Sequence, residues 1–359
     1  MRCAIVYGTR PEAIKLAPVA RELKTRGQDV TLINTGQHDS LMPSVMKHFG
    51  LAPAVQLKSL RPGQSLSSLV SSLITDLEQV LLDQYPDCVV VQGDTSSAMA
   101  AALAAYYLQV PVAHVEAGLR TFRLYSPFPE EMNRRVIGSV ATWNFCPSEG
   151  AALNLRAERV PGDIYVTGNT VVDALEAVLR VAPQPRRERT YRILATVHRR
   201  ENFPNLESIF RAFREIAERP DVEFLLPVHA NPVVRSAAET WLSGSNVHML
   251  EPVDYLPWIG LLSSATLVIT DSGGLQEEAP VLGVPILVVR DVTERPEVVE
   301  GGYGYLVGTE TSRIVSFATK ALTGELRFSS GSPYGVGQSS SLIADVLARS
   351  LSPVPLEAI

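Results

Sequence analysis

A repeated rhythm constrains this chain more than any other feature: short, continuous apolar runs, each followed by a longer stretch of helical period. The runs fall at 2–7, 30–34, 88–91, 112–115, 144–146 and 164–166 in the first half, and at 192–197, 223–226, 247–250, 267–269, 286–289 and 305–307 in the second. Continuous rather than alternating apolar character marks strands buried on both faces of a parallel sheet. The segment 16–26 stands for the helices between them: Pro18 suits a first turn, Val19, Leu23 and neighbouring alanines form an apolar face, and Gly27 ends it. The βαβα pattern occurs twice, and 359 residues exceed what one core usually supports. The expected fold is α/β, with two doubly wound, Rossmann-like domains. We place the first at 1–180 and the second at 181–340. The proline- and charge-rich VAPQPRRERT at 181–190 serves as linker, and SSGSPYGVG at 329–337 makes a second break. A last helix, 341–359, is expected to pack back on the first domain.

Composition narrows the function. A formal net charge of −6 with scattered arginines lacks the basic face that nucleic acid or anionic membranes require. The longest apolar stretch, 98–108, is too short to span a bilayer, and the first residues, MRCAIVYGTRPE, contain no signal-peptide core. Cys3, Cys88 and Cys146 each lie in a strand-like run, too few and too badly spaced for a disulfide framework or zinc cluster. Buried, reduced thiols and a cytoplasmic location are expected.

Nearly every unusual polar cluster directly follows a predicted strand. Gly8-Thr9-Arg10, Thr35-Gly36-Gln37-His38, Gly93-Asp94-Thr95 and Glu116-Ala117-Gly118 do so in the first half; His198-Arg199-Arg200-Glu201, Val228-His229 and Asp271-Ser272-Gly273-Gly274 do so in the second. Each cluster alone is compatible with an ordinary turn or helix cap. Seven together fit ligand binding at the carboxyl ends of parallel strands, with the two domains facing a central cleft. Ser272-Gly273-Gly274 opens a helix whose N-terminal N–H groups suit a diphosphate. The motif is neither a dinucleotide fingerprint nor a P-loop, so NAD and ATP are disfavoured and no cofactor is expected. Glu278, one turn into that helix, can accept hydrogen bonds from two ribose hydroxyls, and Arg10 and Arg295 can neutralise phosphate.

The acid–base candidates are Asp94, Glu116, Glu130, Glu131 and His198. Asp94 and Glu116 end neighbouring strands, so their carboxylates are expected close together, where like charge raises at least one pKa. Pro127-Phe128-Pro129-Glu130-Glu131 also has a plainer reading, a proline-defined helix start with acidic residues in its first turn. His114 and His248 lie inside strands and read as structural. His198 and His229 lack metal-site spacing, and no His/Cys cluster exists, so no metal is expected.

The motifs GTRPEAIKLAP, TGQH, RPGQ, GDTSSAMA, HVEAGLRT, YSPFPEEMNRR, TGNTVVDAL, HRREN, PVHANPVVR, TDSGGLQEEAP and TERPEVV resemble, in the same order, those of the bacterial non-hydrolysing UDP-N-acetylglucosamine 2-epimerases. The likeness runs to about residue 310. It implies a GT-B-like fold, a homodimer and interconversion of UDP-GlcNAc and UDP-ManNAc, by elimination of UDP to 2-acetamidoglucal and re-addition with a proton on the other face of carbon 2. It also implies catalytic roles for Asp94, Glu116, Glu130 and His198, and substrate contacts by Arg10, Lys15, Arg134, Trp258, Ser272, Gly273, Gly274, Glu278 and Arg295. Gln37, Arg61, Glu130, Arg199 and His229 match positions that line a second, activating UDP-GlcNAc site in some members, although Ser40 stands where regulated members often carry glutamine. Three other reactions compete: epimerisation of a 2,3-diacetamido uronate, hydrolytic release of free N-acetylmannosamine, and glycosyl transfer by a GT-B enzyme. A non-catalytic nucleotide-sugar module would leave the four acid–base positions unexplained.

Overall fold

The computed structural model describes residues 1–37, 46–60, 63–179, 181–183 and 185–351. His38, Ser40, Arg61 and the end of the expected closing helix lie outside them. The chain divides into two units, Met1–Glu176 with Tyr334–Ile359, and Ala177–Pro333.

The first unit holds seven parallel strands: β1 (Arg2–Tyr7), β2 (Asp29–Asn34), β3 (Val55–Gln56), β4 (Cys88–Gln92), β5 (Val112–Val115), β6 (Trp143–Cys146) and β7 (Asp163–Val166). Their order is β3-β2-β1-β4-β5-β6-β7. All five residues of β4 are buried, as its unbroken apolar run requires. The sheet carries helices α1 (Arg10–Thr25), α2 (Leu66–Gln84), α3 (Ser96–Tyr107), α4 (Glu130–Val140), α5 (Glu149–Glu158) and α6 (Thr170–Leu179), the last running into the second unit. In α3 the alanine-rich SSAMAAALAA is almost wholly buried; small side chains let it sit between α2 and α4 and against β4.

The second unit has six parallel strands: β8 (Tyr191–Thr196), β9 (Val222–Pro227), β10 (Val247–Leu250), β11 (Leu267–Thr270), β12 (Ile286–Val288) and β13 (Gly304–Leu306), in the order β10-β9-β8-β11-β12-β13. Its helices are α7 (Leu206–Ala217), α8 (Pro232–Leu242), α9 (Tyr255–Ser263), α10 (Gly273–Val281), α11 (Pro296–Glu300) and α12 (Thr311–Leu322). Helix α7 buries Leu206, Ile209, Phe210, Phe213 and Ile216 on one helical stripe that builds the core against the sheet. In both sheets the order turns back beside the first strand, so the switch points lie between β1 and β4 and between β8 and β11. Polar loops at the carboxyl ends of these pairs are where doubly wound sheets take ligands.

Helix α13 (Ser339–Ser350) packs on α1. Arg26 fastens it by an ion pair to Asp345 and by a 2.8 Å hydrogen bond to the Ser341 hydroxyl, and Asp173 accepts from the Ser340 N–H at 2.9 Å.

Several local expectations need correction. Helix α1 begins at Arg10, with Thr9 in extended backbone before it and Pro11 in its first turn, so Pro18 lies in the helix interior, where it forgoes one backbone hydrogen bond. The two-residue β3 carried no pattern long enough to read. His248 is exposed, because β10 is an edge strand. The three cysteines are free and buried. Cys3 and Cys88, 85 residues apart in sequence, are register partners on β1 and β4 with sulfurs 3.3 Å apart.

Candidate active site

In the first unit, the loops after β1, β4 and β5 assemble a buried charge cluster. Glu116 directly follows β5 in the left-handed region, at φ 62°, a conformation unfavourable for a residue with a side chain and common at functional positions. Its carboxylate is ion-paired with Lys15 on α1, accepts from Asn169 Nδ2 at 3.3 Å on the same oxygen, and has the Arg134 guanidinium 3.5 Å from the other. Arg134, on α4, also donates to the Glu116 carbonyl and pairs with Asp94. Asp94 and Glu116 are therefore brought together, as their strand ends suggested, but with a cation between them that offsets the expected repulsion. Asn133 holds the Asp94 carbonyl at 2.9 Å, and His114 Nε2 lies 2.8 Å from the Gly93 carbonyl. Burial, helped by Arg134, pushes the His114 imidazole down to about 3, so it stays neutral and structural.

Glu130 and Glu131 open α4 and do different things. Glu131 accepts from the N–H groups of Thr121 at 2.9 Å and Phe122 at 3.2 Å and pairs with Arg135, so it clamps the preceding loop. Glu130 is half-buried at the first helical position. Arg10 is half-buried at the start of α1, and Gln37, after β2, accepts from the Ser97 hydroxyl at 2.7 Å.

In the second unit, the fully buried Asp271 organises the switch point. It accepts from the His198 N–H at 3.0 Å, the Arg199 N–H at 2.9 Å and Asn202 Nδ2 at 3.1 Å, and lies 3.3 Å from His198 Nδ1. A carboxylate beside Nδ1 favours the proton there and leaves Nε2 as the reactive nitrogen. Burial pulls the His198 pKa below its ordinary value against the opposing pull of Asp271, with Arg199 and the stacked His229 ring adding to the fall. Ser272 precedes α10, whose first residue, Gly273, is crowded by cations. A Cβ there would lie 2.5 Å from Arg295 Nη1 and 3.2 Å from Arg199 Nη2, whereas one at Gly274 would meet nothing closer than 3.8 Å. Two guanidinium groups thus stand at a helix N-terminus, an arrangement that suits an anion. Glu294 holds them: it pairs with Arg199, Arg290 and Arg295. Burial would raise its carboxyl, but those three arginines keep it well below the usual carboxylate range. Arg295 is further fixed by Glu277 at 2.6 Å. Trp258 Nε1 donates to Glu278 at 3.4 Å, which brings together the two residues expected to meet base and ribose.

All four of Asn169, Glu12, Asp271 and Glu294 sit in quoted motifs, Asp271 within a polar cluster already singled out, but their partners emerge only in three dimensions. Among the described residues, no group of three or more His, Cys, Asp or Glu could hold a metal ion, and no helix is long and apolar enough to cross a membrane.

Two Rossmann-like sheets with anion and carboxylate machinery at their carboxyl ends define a GT-B-like protein of the nucleotide-sugar class. The family model described as UDP-N-acetylglucosamine 2-epimerase matches residues 21–348, and the chain belongs to that family. It is 42% identical over 369 residues to the UDP-N-acetylglucosamine 2-epimerase of Escherichia coli K12, covering 97% of this chain and 98% of that one. The crystal structure of UDP-GlcNAc 2-epimerase from Neisseria meningitidis bound to UDP-GlcNAc superposes with a TM-score of 0.92 at 41% identity, covering 97% of this chain and 100% of that one. The structure of S. aureus MnaA with UDP has the same TM-score at 37% identity, covering 98% and 97%.

Proposed function

We propose that this protein interconverts UDP-GlcNAc and UDP-ManNAc without hydrolysis. The observation that carries the reading is the pairing of Asp94 and Glu116 on one guanidinium at the carboxyl ends of β4 and β5, in a chain that belongs to the 2-epimerase family. Carbon 2 of the sugar has no neighbouring carbonyl to acidify its proton, so direct abstraction is unfavourable. Expelling UDP first builds positive charge at carbon 1, which carboxylates stabilise. The carbon 1–oxygen bond breaks with its electrons going to UDP, and a base takes the carbon 2 proton to give 2-acetamidoglucal. UDP oxygen then re-adds at carbon 1 as a proton arrives on the opposite face of carbon 2.

In this reading Asp94, Glu116, Glu130 and His198 handle protons and charge. The N-terminus of α10, with Ser272, Gly273, Gly274 and Arg295, holds the diphosphate, joined by Arg10 and Arg134. Glu278 takes the ribose hydroxyls and Trp258 the uracil. Lys15 acts through its ion pair with Glu116. The enzyme works as a homodimer in the cytoplasm, consistent with its free thiols. A second UDP-GlcNAc, recognised by Gln37, Arg61, Glu130, Arg199 and His229, activates it. Incubation with UDP-GlcNAc as the only sugar tests the reading. NMR should show UDP-ManNAc growing to a fixed ratio with UDP-GlcNAc; free sugar, or no change without an acceptor, would contradict it.

A further inference from the structure

Glu12 is 1% exposed, and two different loops use its oxygens. Oε2 accepts from the Gly8 N–H at 3.1 Å and the Thr9 hydroxyl at 2.7 Å, both in its own turn after β1. Oε1 accepts from the Thr95 hydroxyl at 2.8 Å, 83 residues away in the turn after β4. The Thr9-x-x-Glu12 spacing is that of a capping box, but the Thr9 side chain makes no cap hydrogen bond and donates to Glu12 instead, so the first two contacts hold the local turn. No cap reaches across to another strand. Burial pushes the Glu12 carboxyl up to about 7 despite the donors around it, so this position costs stability that a cap alone would not require. The turn is closely packed: a Cβ on Gly8 would fall 2.2 Å from Thr35 Oγ1 and 2.3 Å from Ser97 Oγ.

The two turns it joins flank the β1/β4 switch point. Thr9 adjoins Arg10, and Thr95 adjoins Asp94. The second unit meets the same need with Asp271, which leaves the turn after β11 to hold the backbone of His198 and Arg199 after β8. We infer that Glu12 is a positioning residue: its hydrogen-bond bridge fixes the Arg10 turn against the Asp94 turn in the reacting complex. The inference rests on the epimerase reading given above. The role is geometric rather than ionic. Thr95 Oγ1 already accepts from the Ala98 N–H at 3.0 Å and keeps a second lone pair, so a glutamine side chain could donate to it while its carbonyl serves Gly8 and Thr9.

Steady-state kinetics on UDP-GlcNAc test this. Glu12→Ala should lower kcat roughly 10- to 100-fold, the scale expected from an ångström-sized misplacement of reacting groups, with KM little changed. Glu12→Gln should recover most of that loss. Thr95→Ala should lower kcat while Thr95→Ser does not, and the double alanine variant should be no worse than Glu12→Ala. The Thr95 pair decides the matter even if Glu12→Ala does not fold. Equal inactivity of Glu12→Gln and Glu12→Ala, an unaffected Thr95→Ala, or multiplying effects in the double variant would overturn the inference. A wild-type protein inactive on UDP-GlcNAc would instead strike the epimerase reading.

Discussion

Lys15 and Glu116, 101 residues apart in sequence, form an ion pair whose side chains are only 6% and 3% exposed. Buried pairs of this kind add little net stability when intact, but breaking one strands a charge. Lys15→Met should therefore cost about 3–5 kcal/mol, read as a lower urea midpoint. Turnover should fall with it. A midpoint unchanged from wild type would mean that the pair is not retained in solution.

Asp94 and Glu116 share Arg134, so their losses should not multiply. Asp94→Asn and Glu116→Gln are each expected to lower kcat by roughly 10²–10⁴-fold, the usual range for a lost acid–base group, and the double variant should lie close to the worse single one. UDP affinity, measured by calorimetry, should change far less than kcat, because among the proposed diphosphate contacts it is Arg134 that pairs with these carboxylates, while those at α10 lie in the second unit. Strictly multiplying losses would show that the two carboxylates act independently.

Gly273 and Gly274 make an internal control. Gly273→Ala forces the Arg295 and Arg199 guanidinium groups aside and should weaken UDP binding at least about tenfold, as expected for a lost hydrogen bond to a charged group. Gly274→Ala meets nothing nearer than the Ser272 hydroxyl at 3.8 Å. Any loss it causes reports the ligand's own approach to the helix, and unchanged UDP affinity in Gly273→Ala would contradict the proposed anion site.

His114 and Glu12 should oppose each other in the pH dependence of stability. His114 is pushed from 6.5 to about 3, so between those values the unfolded chain binds a proton that the native chain lacks. Its contribution is full above pH 6.5 and falls as pH drops. Glu12 is pushed from 4.5 to about 7, so the native chain binds the extra proton; its contribution is full below pH 4.5 and is lost as pH rises through 7. Between pH 4.5 and 6.5 the two slopes cancel in part. Glu12→Gln should steepen the rise of stability with pH there by up to about 1.4 kcal/mol per unit, and His114→Gln should reverse it. Urea denaturation at stepped pH checks this, and curves parallel to wild type would contradict it.

These residues also show how far the sequence could be read. The two sheets were legible because strands buried on both faces leave unbroken apolar runs, as at CVVVQ in β4. The candidate site's location followed from the rule that polar residues after parallel strands gather at one end, which singled out Asp94, Glu116 and His198 as candidates. The partners were not legible. Nothing local to Lys15 says that it will meet Glu116, and although Arg290 and Arg295 are near Glu294 in sequence, nothing there says that Arg199 will join them. Such pairings are set by strand order, which a periodicity does not encode. The same limit explains Glu131: its chemistry matches that of Glu130, and only the loop it clamps separates them. Pro18 failed for a different reason: Pro11 already occupies the first turn of α1, so a proline seven residues further on falls in the helix interior.

The central claim is that carbon 2 loses its proton while UDP departs and returns. UDP-GlcNAc incubated with the enzyme in deuterated water and followed by proton NMR tests it directly. Deuterium is expected at carbon 2 in UDP-ManNAc from the earliest product, and in recovered UDP-GlcNAc as equilibrium is approached. UDP-ManNAc that keeps its original carbon 2 proton would contradict it.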